Sequence, residues 1–530
     1  MTTYAEPQVV TTTAHPTARN RTRRLWPLAL ILGLQCIVSI VTLHNSAFQD
    51  EALYLYAGRQ IIHHWNGGPV PLDNYASYFS GYPDFYPVIG GFLDMVGGLE
   101  LARDFSLACM LGVTGTVYWI TTKLYQRPAA IFASATYAST GVVLFVGRLA
   151  TYDAMSLFLI ALAAAFSVHV SMNRRPWTAL VVGPVMVLAI LAKYAALLFV
   201  PPVFGILIVL SFVFVGWRRA LVRLSLTLAS FVLSLEIAYH TLSREALKGV
   251  ISTTTNRSVS LKSPRTALLL HVLHMGGAFY LIAFLGLLLI LRLQWRSRVL
   301  ALILFGSSWL APIYHIYKQE PVSLDKHIAY GLFFAAPLVG YALAWVSGYE
   351  RQQSVSFYRG YWLAGIGAVV AVFALGLTQS QELVGEWANT SGLTSGLDTQ
   401  LRDGSGRIMA EDIEVARYDA MNVTEPWQWD SLYYTNYVDH AGQHLYGNAA
   451  LAQAVKERYY NWVELSFNYI PAQAYFLAGQ MAATRNYDLV AVIPFENSYG
   501  KGHFYLWRSA LEAGHGDFTS LAELKTNDWP

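Results

Sequence analysis

The run LWPLALILGLQCIVSIVTLHNSAFQDEALYLYAGRQIIHH, Leu25 to His64, decides how the rest of the chain is read. Leu25 to Leu43 is apolar for long enough to cross a bilayer. The adjacent acids Asp50 and Glu51 follow at once, and Leu53, Tyr56, Ala57 and Ile61 then recur at helical spacing. Phe48 to His64 therefore reads as a short amphipathic helix lying on the membrane with its acids at the start. Carboxylates pinned at a bilayer surface point to chemistry on a lipid-borne substrate. Asp50 equally suits a plain N-cap, because acids sit well at the positive end of a helix. This stretch alone leaves both readings open.

Composition settles the class. With 530 residues, 55% of them hydrophobic and only 13% charged, and a mean hydropathy of +0.37, the chain is too apolar and too poor in charge for an ordinary soluble protein. It reads as a polytopic α-helical membrane protein. The net charge of +3 hides a split: residues 381–530 hold 19 acids against 9 Lys and Arg, and residues 1–380 hold 14 against 27. Cys36 and Cys109 both fall inside apolar runs, which gives no disulfide framework. Residues 1–24 form a Thr-rich cytoplasmic tail, expected to be disordered, that ends in Arg21, Arg23 and Arg24 ahead of an uncleaved first span.

Apolar runs place about eleven spans, near 25–43, 101–121, 129–147, 153–171, 177–195, 198–216, 221–240, 266–291, 299–317, 328–346 and 361–379. Every second connection is basic: Arg21 to Arg24, Lys123 with Arg127, Arg174 with Arg175, Arg218 to Arg223, Arg292 to Arg298, and Arg351 with Arg359. The positive-inside rule puts these in the cytoplasm, so the N-terminus is cytoplasmic and an odd count leaves residues 381–530 outside. Residues 25–380 then form the transmembrane domain, with a long first outer loop over 45–100. That loop carries the tyrosine-rich YASYFSGYPDFYP, Tyr75 to Pro87, and a second surface helix is expected near Pro87 to Val96. Thr390 to Gly406 reads as a Gly, Ser and Thr linker. Beyond it, β-like runs such as Arg407 to Met409 and Leu489 to Ile493 alternate with helical ones such as Ala449 to Tyr460, which predicts a compact α/β domain.

Candidate chemistry gathers on the outer side. The short GRLATYD connection brings Arg148 and Asp153 to the face that holds Asp50, although charges at span ends are also ordinary anchors. Lys193 in LAKYAALLF sits at the same boundary, where snorkelling would equally explain it. Arg244, Lys248, Arg257, Lys262 and Arg265 are basic where positive charge is not expected, and with Thr253 to Thr255 they offer donors to a phosphate, unless the topology slips there. His315, Lys318, Lys326 and His327 join them from HIYKQEPVSLDKHIAYGLFFAAPL. Histidines there raise a metal, but no HExxH and no tight His and acid cluster accompanies them. In the outer domain Trp427, Trp429, Tyr433, Tyr434, Tyr437, Tyr459, Tyr460 and Trp462 either stack on sugar rings or fill a small core. No P-loop, GxGxxG, GxSxG or CxxC is present, so nucleotide cofactors and serine or redox chemistry have no local support.

Taken together, DEALYLYAGRQI, GYPDFYP, GGLELAR, RLATYD, LAK and DKHIAYGLFFAAPL resemble the bacterial glycosyltransferases of the dolichyl-phosphate-mannose protein mannosyltransferase type, including the aminoarabinose lipid A transferases. The likeness runs through residues 45–345. It implies the GT-C fold and an inverting transfer of a sugar from a polyprenyl-phosphate donor to a hydroxyl of a glycan, lipid or protein acceptor, at a plasma membrane and with no nucleic acid as partner. On the matching positions it implies Asp50 as general base with Glu51 in reserve, and Asp153 to position the acceptor or a basic residue. It implies Lys193, Lys326, His327 and an arginine among Arg148, Arg257 and Arg265 on the donor phosphate. Tyr82, Tyr86, Trp427 and Trp429 are the candidates for contacting acceptor or sugar. A cofactor is not required, although a divalent cation is compatible with the chemistry. His327 and Gly331 stand where many members have Arg and Leu. The competing classes are a transporter or lipid-linked glycan flippase and a glycan-binding scaffold. A transporter would carry ionisable groups near mid-bilayer, whereas here Glu236 is the only acid well inside a span.

Overall fold

The computed structural model describes residues 18–254, 262–348, 358–401 and 406–524. Its first half is helical: α1 (Ala18–Thr42), α2 (Gln49–Trp65), α3 (Tyr86–Ala138), α4 (Gly141–Gly147), α5 (Tyr152–Met172), α6 (Val182–Ala192), α7 (Val200–Val215) and α8 (Trp217–Thr241). There follow α9 (Arg244–Thr254), α10 (Arg265–Ile290), α11 (Trp295–Ser308), α12 (Leu310–Lys318), α13 (Leu324–Val346) and α14 (Tyr358–Val384). Among the described residues nine helices are long and apolar enough to cross a membrane, and Pro176–Ala192 is a shorter apolar one.

One of the nine, α3, is 53 residues long. At 1.5 Å per residue that is about 80 Å, far more than one bilayer needs. It bends at Gly97–Gly98 and again at Tyr125–Gln126, where the backbone leaves helical angles. The expected eleven spans divide this helix at its second bend and count the shorter helix separately. Its first segment, ahead of Gly97, covers the stretch near Pro87 to Val96 where a second helix is expected, and is helical. Two glycines let α2 cross that segment closely: a Cβ on Gly58 would lie 1.8 Å from the Pro87 carbonyl oxygen, and one on Gly91 would lie 2.7 Å from the Arg59 nitrogen. The span at the centre of the bundle is α13, whose residues from Ile328 to Leu343 are buried. Its neighbours α3, α10 and α11 enclose it.

The C-terminal part is α/β. Strands β1 (Ile408–Ala410), β2 (Trp429–Ser431), β5 (Trp462–Leu465), β6 (Tyr487–Asn497) and β7 (Gly500–Ser509) form one sheet in the order β2-β1-β5-β7-β6. The β1 strand runs parallel to β2 and β5, whereas β7 is antiparallel to β5 and β6. Strands β3 (Asn436–Val438) and β4 (His444–Tyr446) pair as a separate hairpin. Helices α15 (Ser391–Leu401), α16 (Ile413–Asp419), α17 (Gly447–Lys456) and α18 (Pro471–Thr484) complete this region. Much of the stretch expected as a linker is therefore α15. Leu393, Leu397 and Leu401 recur every four residues there and bury against the sheet, which outweighs the poor helix propensity of its Gly, Ser and Thr.

This region is seated on the helical half. Val415 and Tyr418 of α16 pack into one apolar cluster with Ala47, Ala52, Leu55, Tyr56, Ala102 and Ala150. Arg417 Nη1 meets Asp73 Oδ2 at 2.6 Å and stacks over the Tyr56 ring, and the Tyr418 hydroxyl donates to Asp94 Oδ1 at 2.8 Å. Trp387 Nε1–H donates to the Ser46 carbonyl at 3.0 Å. The start of α2 is thus gripped from both halves of the chain.

Candidate active site

Adjacent residues on a helix are about 100° apart around its axis, and this separates Asp50 from Glu51. Glu51 turns inward and is 0% exposed, whereas Asp50 turns toward an open cavity and is 29% exposed. The Glu51 carboxylate is saturated. Arg103 donates from Nε to Oε1 at 2.9 Å and from Nη2 to Oε2 at 2.7 Å, while the backbone N–H groups of Phe48 and Ala150 donate at 2.8 and 2.6 Å. Arg103 spends its remaining donors on the Asn45 and Ser46 carbonyls and on Glu100. Glu51 therefore ties three segments together, the start of α2, α3 and the connection at Ala150, and leaves no lone pair for a substrate, so the reserve role as base does not fit its surroundings. It also does the capping that was open for Asp50, because it is Glu51 that accepts from the Phe48 N–H.

Asp50 is paired across the fold with Lys326, at the first turn of α13. Burial raises the Asp50 carboxyl, but the Lys326 charge and hydrogen bond, helped by Lys193, outweigh it and hold the group below the usual carboxylate range. A second pair lies alongside. Lys193, 3% exposed at the break between α6 and the next helical turn, is bonded to Asp153, 0% exposed at the start of α5. The Lys193 ammonium also lies over the Tyr152 ring, 5.1 Å from its centre, and Lys326 lies 4.8 Å from the centre of the Phe48 ring. Tyr330, one turn beyond Lys326, donates to the Asp153 carbonyl at 3.0 Å, and the Tyr54 hydroxyl donates to that of Tyr152 at 2.6 Å. Four charged groups from four separate segments thus share one cluster, at the edge of a cavity of about 510 Å³ that Asp50 and Lys326 help to line.

The remaining expected residues divide. His327 is bonded through Nδ1 to His315 Nε2 at 2.7 Å, and His315 bonds to the Glu320 carbonyl, so His327 belongs to a histidine pair with the Tyr330 ring beside it. Arg148 is buried and already engaged by Glu100 and Asp104, which makes it part of the Glu51–Arg103 scaffold rather than a phosphate ligand. Arg265 is exposed at the start of α10, and Arg257 lies outside the described residues. Tyr86 is fully buried against Tyr152. Tyr82 is half-buried, with its hydroxyl on Asp84 at 2.8 Å. Trp429 is packed in the core of the C-terminal region with its N–H on Thr424, so it offers a sugar no face, whereas Trp427 is exposed under Arg407. The sequence marks Tyr330 as part of the late Lys326, Tyr330, Pro337 run and Asp325 as an outer-side acid without giving either a role, and it offers no signal for Arg103 or for His271 and Glu386 on the cavity wall. Among the described residues no three His, Cys, Asp or Glu side chains converge as a metal ion would need.

A family model, described as dolichyl-phosphate-mannose-protein mannosyltransferase, matches residues 89–239. A search of the curated proteins gives no match. Among solved structures the chain is similar to ArnT from Cupriavidus metallidurans bound to undecaprenyl phosphate, with a TM-score of 0.56 and 14% identity over 94% of this chain and 99% of that one. It is similar to the oligosaccharyltransferase of Archaeoglobus fulgidus tethered with an acceptor peptide, with a TM-score of 0.56 and 12% identity over 92% and 74% of the two chains. The arabinofuranosyltransferase AftD from mycobacteria matches with a TM-score of 0.51 and 11% identity, over 92% of this chain and 40% of that one. The chain therefore has the GT-C fold, of the type found in protein mannosyltransferases and ArnT.

Proposed function

We propose that the protein is an inverting membrane glycosyltransferase that moves a sugar from a polyprenyl-phosphate donor to an acceptor hydroxyl on the non-cytoplasmic face of a cell membrane. Its N-terminus is then cytoplasmic, and residues 381–530 form the extracytoplasmic domain. The observation that carries this reading is the cluster of Asp50, Lys326, Asp153 and Lys193, drawn from four segments to one edge of a cavity. The donor monophosphate binds Lys326 and Lys193. As it does so it draws Lys326 away from Asp50 and leaves that carboxylate free to accept a proton. The acceptor oxygen then attacks the anomeric carbon from the face opposite the phosphate, and its proton passes to Asp50. The carbon–oxygen bond to the phosphate breaks, its electron pair staying on the phosphate oxygen, where the two ammonium groups stabilise the charge. Asp153 holds Lys193 extended toward that phosphate. The lysines supply the countercharge, so no cofactor is required. ArnT bound to undecaprenyl phosphate supports a lipid monophosphate as the leaving group.

The experiment is transfer from a panel of synthetic polyprenyl-phosphate hexoses and pentoses, with wild type beside Lys193→Met and Lys326→Met. Loss of a group that stabilises the leaving anion is expected to slow transfer by about 10²–10³. Each variant should also weaken binding of undecaprenyl phosphate, read by its protection against thermal unfolding. If both lysine variants transfer sugar at the wild-type rate, the proposal is refuted.

A further inference from the structure

The cavity beside Asp50 is lined on one wall by groups that the reaction as written does not use. Asp325 stands one residue before Lys326 and is bonded by His271 Nε2 at 2.5 Å. Across from it is Glu386, in the connection from α14 to α15. The backbone there is pinned from both sides. Asn45 donates to the Val384 and Trp387 carbonyls at 2.8 and 3.1 Å, and Asn497 donates to the Glu386 carbonyl at 3.0 Å. The carboxylate so placed has no hydrogen-bond or ion-pair partner among the described residues. Burial, then the charge of Asp325, raises its pKa to about 7. Phe48, another lining residue, is backed by the Trp387 ring at 5.0 Å. A carboxylate in search of a hydroxyl, set beside an aromatic face, is the chemistry that recognises a sugar ring.

The charge of this wall also excludes a ligand. Among the described residues Lys326 is the only Lys or Arg in this lining, and in the reaction above the donor phosphate takes it. A second phosphate, carried by the acceptor, would meet Asp325 and Glu386 with no free ammonium or guanidinium to offset them, the His271 imidazole being bonded to Asp325. Lys193, the second cation of the cluster, is not part of this lining. The volume of about 510 Å³ is in the ordinary range for a small-molecule site.

Resting on the glycosyl-transfer reading above, we infer that the acceptor is an uncharged saccharide and that Glu386 holds it, accepting a hydrogen bond from a second hydroxyl while Asp50 faces the first. A phosphate-bearing acceptor is turned away by the same wall. Glu386 is thus a positioning residue that sets acceptor specificity.

The test measures transfer from the same donor panel to octyl glycosides and to the matched octyl glycoside 6-phosphates, with wild type, Glu386→Gln and Glu386→Lys. Wild type is expected to favour the neutral glycosides at least tenfold in kcat/KM. Glu386→Gln, which keeps the shape, is expected to raise the glycoside KM about tenfold with little change in kcat, the loss of one hydrogen bond to a charged group. Glu386→Lys should narrow or reverse the preference. Equal or better use of the phosphorylated acceptor by wild type overturns the inference, and so does an unchanged glycoside KM in Glu386→Gln. Should a variant fail to fold, the wild-type preference decides alone. Transfer to the phosphorylated glycosides would overturn this inference and leave the enzyme reading standing, whereas no transfer to any acceptor would overturn both.

Discussion

Asp50 and Glu51 are neighbours in sequence with opposite surroundings, so replacing each by its amide separates chemistry from architecture. In Asp50→Asn the side chain keeps its size and Lys326 keeps an oxygen to bond, so the fold should lose about 1–3 kcal/mol at most. Transfer should fall about 10²–10⁴-fold, because an amide cannot take the acceptor proton. In Glu51→Gln the order reverses. Four donors now face one carbonyl oxygen and an NH₂ group, and the Arg103 guanidinium, itself 2% exposed, loses its countercharge. Breaking a buried pair in this way costs about 3–5 kcal/mol, a fifth or more of the roughly 5–15 kcal/mol that holds a typical domain. The assay is thermal unfolding of detergent-purified variants, followed by tryptophan fluorescence, with transfer rates expressed per folded molecule. The reasoning is refuted if Glu51→Gln unfolds at the wild-type temperature yet loses transfer as Asp50→Asn does. It is equally refuted if Asp50→Asn is fully active.

Two further outcomes follow from the packing and from the acids of the C-terminal region. Gly58→Ala would drive a methyl group to 1.8 Å from the Pro87 carbonyl, forcing α2 off its neighbour and carrying Asp50 with it, whereas Gly33→Ala meets nothing within 4 Å. The first is expected to cost about 1–3 kcal/mol or more, with a fall in transfer, and the second to be silent, both read by thermal unfolding and activity. Burial and neighbouring acids raise Glu464 and Asp412, and Glu386 rises from 4.5 to about 7. A native state that holds protons more tightly than the unfolded one loses stability as pH rises. Unfolding temperature should therefore fall between about pH 4.5 and about pH 7, and Glu386→Gln should flatten part of that fall.

The membrane-spanning part was legible because its signal is local: an apolar run long enough to cross a bilayer announces itself whatever surrounds it. A helix ending near Val96, ahead of a span that starts near residue 101, was legible for the same reason, since the two stretches differ in composition; that they join as one bent helix was not. The division of labour between Asp50 and Glu51 was not, because it depends on Arg103 and Ala150 arriving from distant segments. Arg148 misled for a related reason. Its place beside Asp153 in GRLATYD marks it as near the cluster, but only the fold reveals that Glu100 and Asp104 occupy its guanidinium. Trp427 and Trp429 are two residues apart, and one is exposed while the other is core, because Trp427 lies in a short helical turn over Pro426–Gln428 and Trp429 opens strand β2. Glu386 carries no motif at all. Its significance comes from a cavity that residues 48, 145, 271 and 325 build together with it.

The seat of α2 has a bearing on how the protein is made. Residues 45–56 emerge from the ribosome early, yet Trp387 and the α16 residues that clasp them are encoded more than 300 positions later. Contacts so distant in sequence close late and slowly. During synthesis the acids and lysines are all present in the membrane well before the helix that aims Asp50 is locked in register. The start of α2, with Asp50 on it, is therefore held in its final place only after most of the chain has been translated.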